Sequence, residues 1–265
     1  MLVAATCLFA VVFVCPSAFG QSQEPDRWEF GLTLYGWLAS VDGDATMKGQ
    51  KASVEADFFD ILENVDFVVP LHFTASKGKW GFFADVMYMS LSNDDDAEAR
   101  VGPFTIDADL EAQMAIGELG GFYRLFERPL GGNGERMLSF DVLAGLRIWY
   151  LEGEIKLDLS GPLSNRRREF EDNKSWVDPI IGGRVSVDLN EKWTLGIRGD
   201  IGGFGVGSDF AWNAIGAVSW HFARKWDLVL GYHVLGVDYE DGSGSDKFAI
   251  DAIFFGPVAA ISYHF

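Results

Sequence analysis

From Trp28 onward the residues of this chain sort by odd and even position. Trp28, Phe30, Leu32 and Leu34 fall on one face of an extended segment, and Glu29, Gly31, Thr33 and Tyr35 on the other. Further on, Leu138, Phe140, Val142, Ala144, Leu146, Ile148 and Tyr150 oppose Ser139, Asp141, Gly145, Arg147 and Trp149. Between them, Ile106, Ala108, Leu110, Ala112, Met114 and Ile116 oppose Thr105, Asp107, Asp109, Glu111 and Gln113. A period of two is the period of a β-strand and excludes an amphipathic helix. The segments run to about 12–20 residues. Strands of water-soluble sheets usually run about 5–6, whereas a strand needs about 9–11 to cross a membrane.

The connections come in two lengths. Three are short and similar: "GKW" at Gly78–Trp80, "EKW" at Glu191–Trp193 and "RKW" at Arg224–Trp226. The others are long and acidic or glycine-rich, such as "SNDDDAEA", "LSGPLSNRRREFEDNK" and "YEDGSGSDK". Short inner turns and long outer loops belong to a transmembrane β-barrel. Trp80, Trp193 and Trp226 each open a strand, where an aromatic girdle would meet the inner membrane–water boundary. The expected fold is an all-β, antiparallel, up-and-down transmembrane barrel. Its strands lie near 27–40, 66–77, 80–92, 103–126, 137–157, 176–189, 193–204, 210–223, 226–240 and 248–265. That makes ten, with eight and twelve as alternatives; twelve would require 41–48 and 51–58 each to cross. The stretch "FFDILENVDF" (Phe58–Phe67) reads as one or two turns of helix.

Composition agrees with an exported membrane protein. Leu2–Ala18 is almost wholly apolar and small residues follow, so residues 1–20 are expected to be a secretory signal peptide, with a membrane anchor as the alternative, and 21–265 the barrel domain. Both cysteines, Cys7 and Cys15, fall inside that segment, which leaves no disulfide or thiolate chemistry for the barrel. With 39 acidic and 21 basic residues the net charge is −18, the wrong sign for a nucleic-acid partner. After the signal no run of about 20 apolar residues could form a spanning helix.

By parity Asp85, Asp107, Asp109, Glu111, Asp141, Arg147, Asp178, Arg184, Arg198 and Asp200 are expected to face the lumen. Such charges either filter solutes, as rings of charge do in pores, or form a salt-bridged filling in a barrel of about this size. Glu118 has the parity opposite to Asp107 and Glu111, which predicts a bulge between Ala115 and Leu119 to turn it inward. Pro70, Pro179 and Pro257 lie inside strands, cannot donate to a ladder, and should mark bulges or strand ends. The histidines, His72, His221, His233 and His264, form no metal-binding or hydrolase motif. Ser219 and His221 share the inward face but have no recognisable orienting carboxylate, so no catalytic residue is assigned. No cofactor and no metal are called for. The loops at Asp94–Glu98 and Asp238–Asp246 lack calcium-loop spacing. They read as solvated acidic loops that divalent cations could bridge to lipopolysaccharide. Asn165–Glu169 carries the one basic run and could pair with its phosphates directly. In "GDIGGFGVGSD" the glycines are expected to let strands bend, or to let an aromatic, Phe204 first, lie on the backbone.

The chain resembles a family of uncharacterised Gram-negative outer-membrane β-barrel proteins. The resemblance runs through "LYGWLASVDGD" (Leu34–Asp44), "FFDILENVDF", "HFTASKGKWGFFADVMYMSLS" (His72–Ser92) and "WVDPIIGGRV" (Trp176–Val185). It continues in "RGDIGGFGVGSDFAWN" (Arg198–Asn213), "GYHVLGVDYEDG" (Gly231–Gly242) and "GPVAAISYHF" (Gly256–Phe265). His233 stands where the family usually has arginine. The resemblance implies an outer-membrane location and supplies no activity. It also implies that the closing aromatic strand, with Ile261, Tyr263 and Phe265 facing lipid, is read by the barrel-assembly machinery. The expected partners are outer-membrane lipids, lipopolysaccharide and that machinery. The oligomeric state stays open. The expected function is a narrow channel for small, cationic solutes; the alternative is a non-conducting structural or loop-interaction barrel. An enzyme is not expected.

Overall fold

The computed structural model describes residues 27–92, 99–101, 104–130, 136–160 and 166–265. The expected signal segment, the Asp94–Glu98 loop and Asn165 lie outside them. Among these residues thirteen strands are formed: β1 (Glu29–Trp37), β2 (Ser40–Met47), β3 (Gln50–Ala56), β4 (Val65–Lys77), β5 (Trp80–Ser92), β6 (Ala99–Val101), β7 (Phe104–Leu130), β8 (Arg136–Ser160), β9 (Arg166–Asn190), β10 (Trp193–Gly202), β11 (Phe210–Ala223), β12 (Trp226–Asp241) and β13 (Phe248–His264). A short helix, α1 (Phe58–Glu63), links β3 to β4.

Neighbours in sequence pair antiparallel from β4 through β13, with β6 only an appendage on β7, and β1 pairs both β4 and β13. This closes a ten-stranded barrel. The twelve-strand alternative fails because β2 does not return across the membrane. It continues upward from β1 along the same neighbour: β1 pairs Val258–His264 of β13, and β2 pairs Ala249–Phe255. The break between them lies opposite Gly256 and Pro257, and the Leu38 amide donates to the Pro257 carbonyl at 2.9 Å. Pro70, Pro179 and Pro257, the three expected to mark breaks, each sit where a neighbouring ladder stops. Beside Pro179 the β9–β10 ladder ends at Ile180–Gly202, and beside Pro70 the β1–β4 ladder ends at Leu34–Leu71. A proline has no N–H to strand at such an end.

The expected bulge in β7 is absent. The β5–β7 ladder runs unbroken from Trp80–Tyr123 to Ser92–Glu111, through Asp85–Glu118. Glu118 therefore has the inward parity by simple alternation. Glu111 shares parity with outward Gln113 and is exposed. Asp107 and Asp109 occupy strand positions of that same outward parity, paired with Asp158 and Lys156 of β8. The side chains of Asp107 and Asp109 lie outside those described; placing Glu111 in the lumen assumes that a charged face must point inward. That holds within the hydrocarbon, where a lipid-facing charge is costly. It fails on the part of a long strand that rises above the membrane, where both faces meet water.

The three tryptophans that open strands each pack on an aromatic of a neighbouring strand. Trp80 packs on Tyr123, Trp193 on Trp220 and Trp226 on Tyr263, with ring centroids 4.6, 6.0 and 4.8 Å apart. Phe265 extends the last of these pairs. Its ring lies 5.5 Å from Phe30 and 5.8 Å from Tyr263, and its amide and carbonyl exchange two 3.0 Å hydrogen bonds with Phe30.

Candidate functional site

The inward faces of β5 and β7–β13 fill the barrel with stacked polar layers. Nearest the periplasmic turns, Asp227 accepts from His221 Nδ1 at 2.7 Å and His264 Nε2 at 2.8 Å. His221 Nε2 lies 3.0 Å from Thr194 Oγ1, whose hydroxyl donates to Asp188 at 2.7 Å. Sequence reading found no carboxylate to orient His221. Asp227 supplies one, across the turn on the next strand. The hydroxyl beside His221 belongs to Thr194, not Ser219, and its proton is committed to Asp188.

One layer further in, Asp141 is clasped by two arginines, Arg124 Nε at 3.0 Å and Arg184 Nη2 at 2.6 Å. Asp178, which shares a face with Arg184, is not its partner. The guanidinium of Arg184 also lies 4.6 Å over the Phe122 ring.

The central layer joins β7, β8 and β10. Arg147, fully buried, donates from Nε and Nη2 to Glu118 at 2.9 and 2.6 Å and from Nη2 to Asp200 at 2.7 Å. Arg198 bridges the same two carboxylates at 2.6 and 3.1 Å. Two cations thus face two anions in a closed square. Asn213 donates to Asp200 at 2.9 Å and takes a 2.7 Å hydrogen bond from His233. His233 thus meets the square through a neutral amide. Asp85 stands to one side, bound by Tyr35 Oη at 2.8 Å and His72 Nδ1 at 2.9 Å.

Above the charges lies an aromatic and aliphatic layer. Trp149 and Trp176 stack at 5.6 Å, and Trp176 and Tyr239 at 3.9 Å. Around them pack Met87, Met114, Ile116, Leu235, Val237, Phe248 and Phe254. This layer is locked by the loop between β10 and β11. Buried Asp178 accepts from Trp149 Nε1 and Ser208 Oγ, both at 2.8 Å, and from the Ser208 amide at 2.7 Å; Trp176 Nε1 donates to Ser208 Oγ at 2.8 Å. The glycines of "GGFGVGSD" serve this lock. A Cβ on Gly207 would come within 2.6 Å of Asp178 Oδ1 and the Val177 carbonyl. Phe204 does not lie on the backbone as expected. It is half exposed, at a left-handed φ of 53°, while Ser208 is the residue drawn inside.

Of the ten expected lumen charges, Asp85, Asp141, Arg147, Asp178, Arg184, Arg198 and Asp200 share the interior. Sequence reading did not list Arg124, Asp227 or Asp188 among them. Glu118 was expected inward only by way of a bulge that β7 does not form. A small polar cavity of about 60 Å³ lies in this interior, lined by His72, Phe83, Phe122, Asp141, Leu143, Arg184 and Arg198. A larger hollow of about 320 Å³ lies on the lipid side, where Ala84 and Gly117 leave a dent between Leu71, Phe73, Val86, Leu119 and Ile148.

No family model matches the sequence, and no curated protein matches it. The fold matches solved outer-membrane barrels. The outer membrane protease OmpT from Escherichia coli aligns over 93% of this chain and 99% of its own, at 10% identity and a TM-score of 0.52. The translocator domain of the autotransporter NalP from Neisseria meningitidis aligns over 91% and 90%, at 12% identity and a TM-score of 0.41. At such identity the likeness to OmpT extends to the fold alone. The chain has the architecture of a Gram-negative outer-membrane barrel.

Proposed function

We propose that this protein is a non-conducting barrel of the outer membrane, a member of the uncharacterised family its motifs resemble. Its part in the envelope is carried by its wall and outer loops, with lipid and lipopolysaccharide as its neighbours. The carrying observation is Arg147: no part of it is exposed, and it is tied to both Glu118 on β7 and Asp200 on β10. A solute moving along the axis would have to break this square. It would then have to part Trp149, Trp176 and Tyr239 above it. Each buried charge left without a partner would cost several kcal/mol. The cation-selective channel is disfavoured for the same reason, because Glu118, Asp141 and Asp200, the acids at the centre, are already held by arginines. A hydrolase reading is disfavoured because the Thr194 hydroxyl donates to Asp188 and not to His221.

Planar-bilayer recording with refolded protein tests the reading. The expected trace is flat at the empty-bilayer baseline. Reproducible conductance steps would overturn it, and their ion selectivity would then say whether Asp85 and its neighbours act as a filter.

A further inference from the structure

β9 and β10 set two arginines directly opposite each other. Arg184 and Arg198 are register partners on the inward face. Like charges opposed across a ladder repel, so such a pair needs negative charge within reach. The two side chains part to find it. Arg184 turns to Asp141 and lies over the Phe122 ring. Arg198 turns to Glu118 and Asp200 and lies over the Phe83 ring. Both line the cavity of about 60 Å³, together with His72, Asp141 and three apolar side chains.

Donors around this cavity outnumber acceptors. Arg198 makes both of its hydrogen bonds from Nη2, and its buried Nε–H has no acceptor among the described residues. A buried charged donor without an acceptor is costly. Arg184 directs Nε and Nη2 to one oxygen of Asp141, and Arg124 takes the other. Asp141, the acid on the cavity wall, thus has both oxygens engaged. His72 donates Nδ1 to Asp85, which also accepts from Tyr35. Glu118 and Asp200 are each held by both arginines of the square. Every carboxylate near the cavity is therefore already claimed, and the arginines have N–H groups to spare. The size of the space restricts what could meet them. About 60 Å³ is room for about two water molecules at their share of the liquid. A monatomic anion fits such a space, and an anion attached to a larger body does not.

We propose that this cavity is a binding site for one chloride ion, held between Arg184 and Arg198, with the buried Nε–H of Arg198 as a donor. The ion sets a negative charge between two cations that the β9–β10 ladder forces together. Water could accept from Nε but would leave the two guanidinium charges facing each other uncompensated. The ion is held and not conducted, so the site is compatible with a sealed axis and is tested by binding, separately from conductance.

The test follows urea unfolding of the refolded protein in lipid vesicles while chloride replaces gluconate at constant ionic strength. Above half-saturation the unfolding equilibrium constant should fall about tenfold for each tenfold rise in chloride, the linkage of one bound ion. Bromide should act as chloride does. Crystals grown in sodium bromide should show an anomalous peak in the cavity, within hydrogen-bond reach of Arg198 Nε. Leu143→Phe fills the cavity without touching a charge, and Arg184→Gln removes one of the two cations. Either change should flatten the chloride dependence, whatever it does to stability in gluconate. Equal unfolding in chloride and gluconate, with no bromide peak in the cavity, would overturn the site in the unmodified protein. A bromide peak there without chloride dependence would mark an adventitious ion only and overturn it as well. A chloride dependence that survives both variants, or a bromide peak elsewhere alone, would place the ion outside this cavity and also overturn it.

Discussion

Arg147 shows how a single residue organises the interior. Its guanidinium has no water to fall back on, so its value lies in the two carboxylates it holds apart. Arg147→Met should leave Glu118 and Asp200 sharing the one cation of Arg198, and should cost about 3–5 kcal/mol, as removal of one partner of a buried pair does. Adding Glu118→Leu leaves Arg198 with Asp200 at 3.1 Å and no unmatched charge. Urea unfolding in lipid vesicles should show the double variant recovering more than half of the single variant's loss. A double variant as unstable as the sum of two losses would mean that the square is not the unit described. The pairing itself was only partly legible in the sequence. Alternation placed Arg147 and Asp200 inward, but which acid meets which arginine depends on strand stagger across β7 to β10.

At the scale of elements, the loop between β10 and β11 is the clearest case of sequence chemistry with an unforeseen purpose. Its glycines announced unusual backbone. The reason is not a flat aromatic: Ser208 must reach Asp178, and only a residue without Cβ fits at Gly207. Gly207→Ala should displace the loop and break both Ser208 bonds to Asp178. The expected destabilisation is about 1–3 kcal/mol, the cost of unpairing a buried polar group. A matching rise in amide exchange should be confined to 203–209 and the top of β9. Unchanged exchange there would show that the loop is not the lock. The prolines were readable at this scale because a missing N–H has one consequence wherever it falls. The β2–β3 hairpin was ambiguous because a strand that crosses the membrane and one that rises above it alternate in the same way.

At the scale of the whole barrel, Phe265 takes part in the closure. Phe265 adds the final rung between β13 and β1 as well as a ring to the girdle. Two changes separate these parts. Phe265→Ala keeps the rung, and should refold in detergent nearly as well as the parent while reaching the outer membrane of cells poorly. Deleting Phe265 should lower the yield in both settings. Normal assembly of Phe265→Ala in cells would remove the ring from any role in recognition by the assembly machinery. The sequence by itself determined the barrel, its strand count to within one hairpin, and the face that most strands turn to lipid, β7 being the exception. All of these follow from local period and turn length, which hydrocarbon enforces on every strand separately. Only the tertiary structure decided that Arg147 and Arg198 form a square with Glu118 and Asp200, that His221 has a carboxylate, that Glu111 has the outward parity, and that the β1–β4 ladder stops at Leu34–Leu71. Those facts depend on register and strand height, which are set between strands and leave no mark on any one of them.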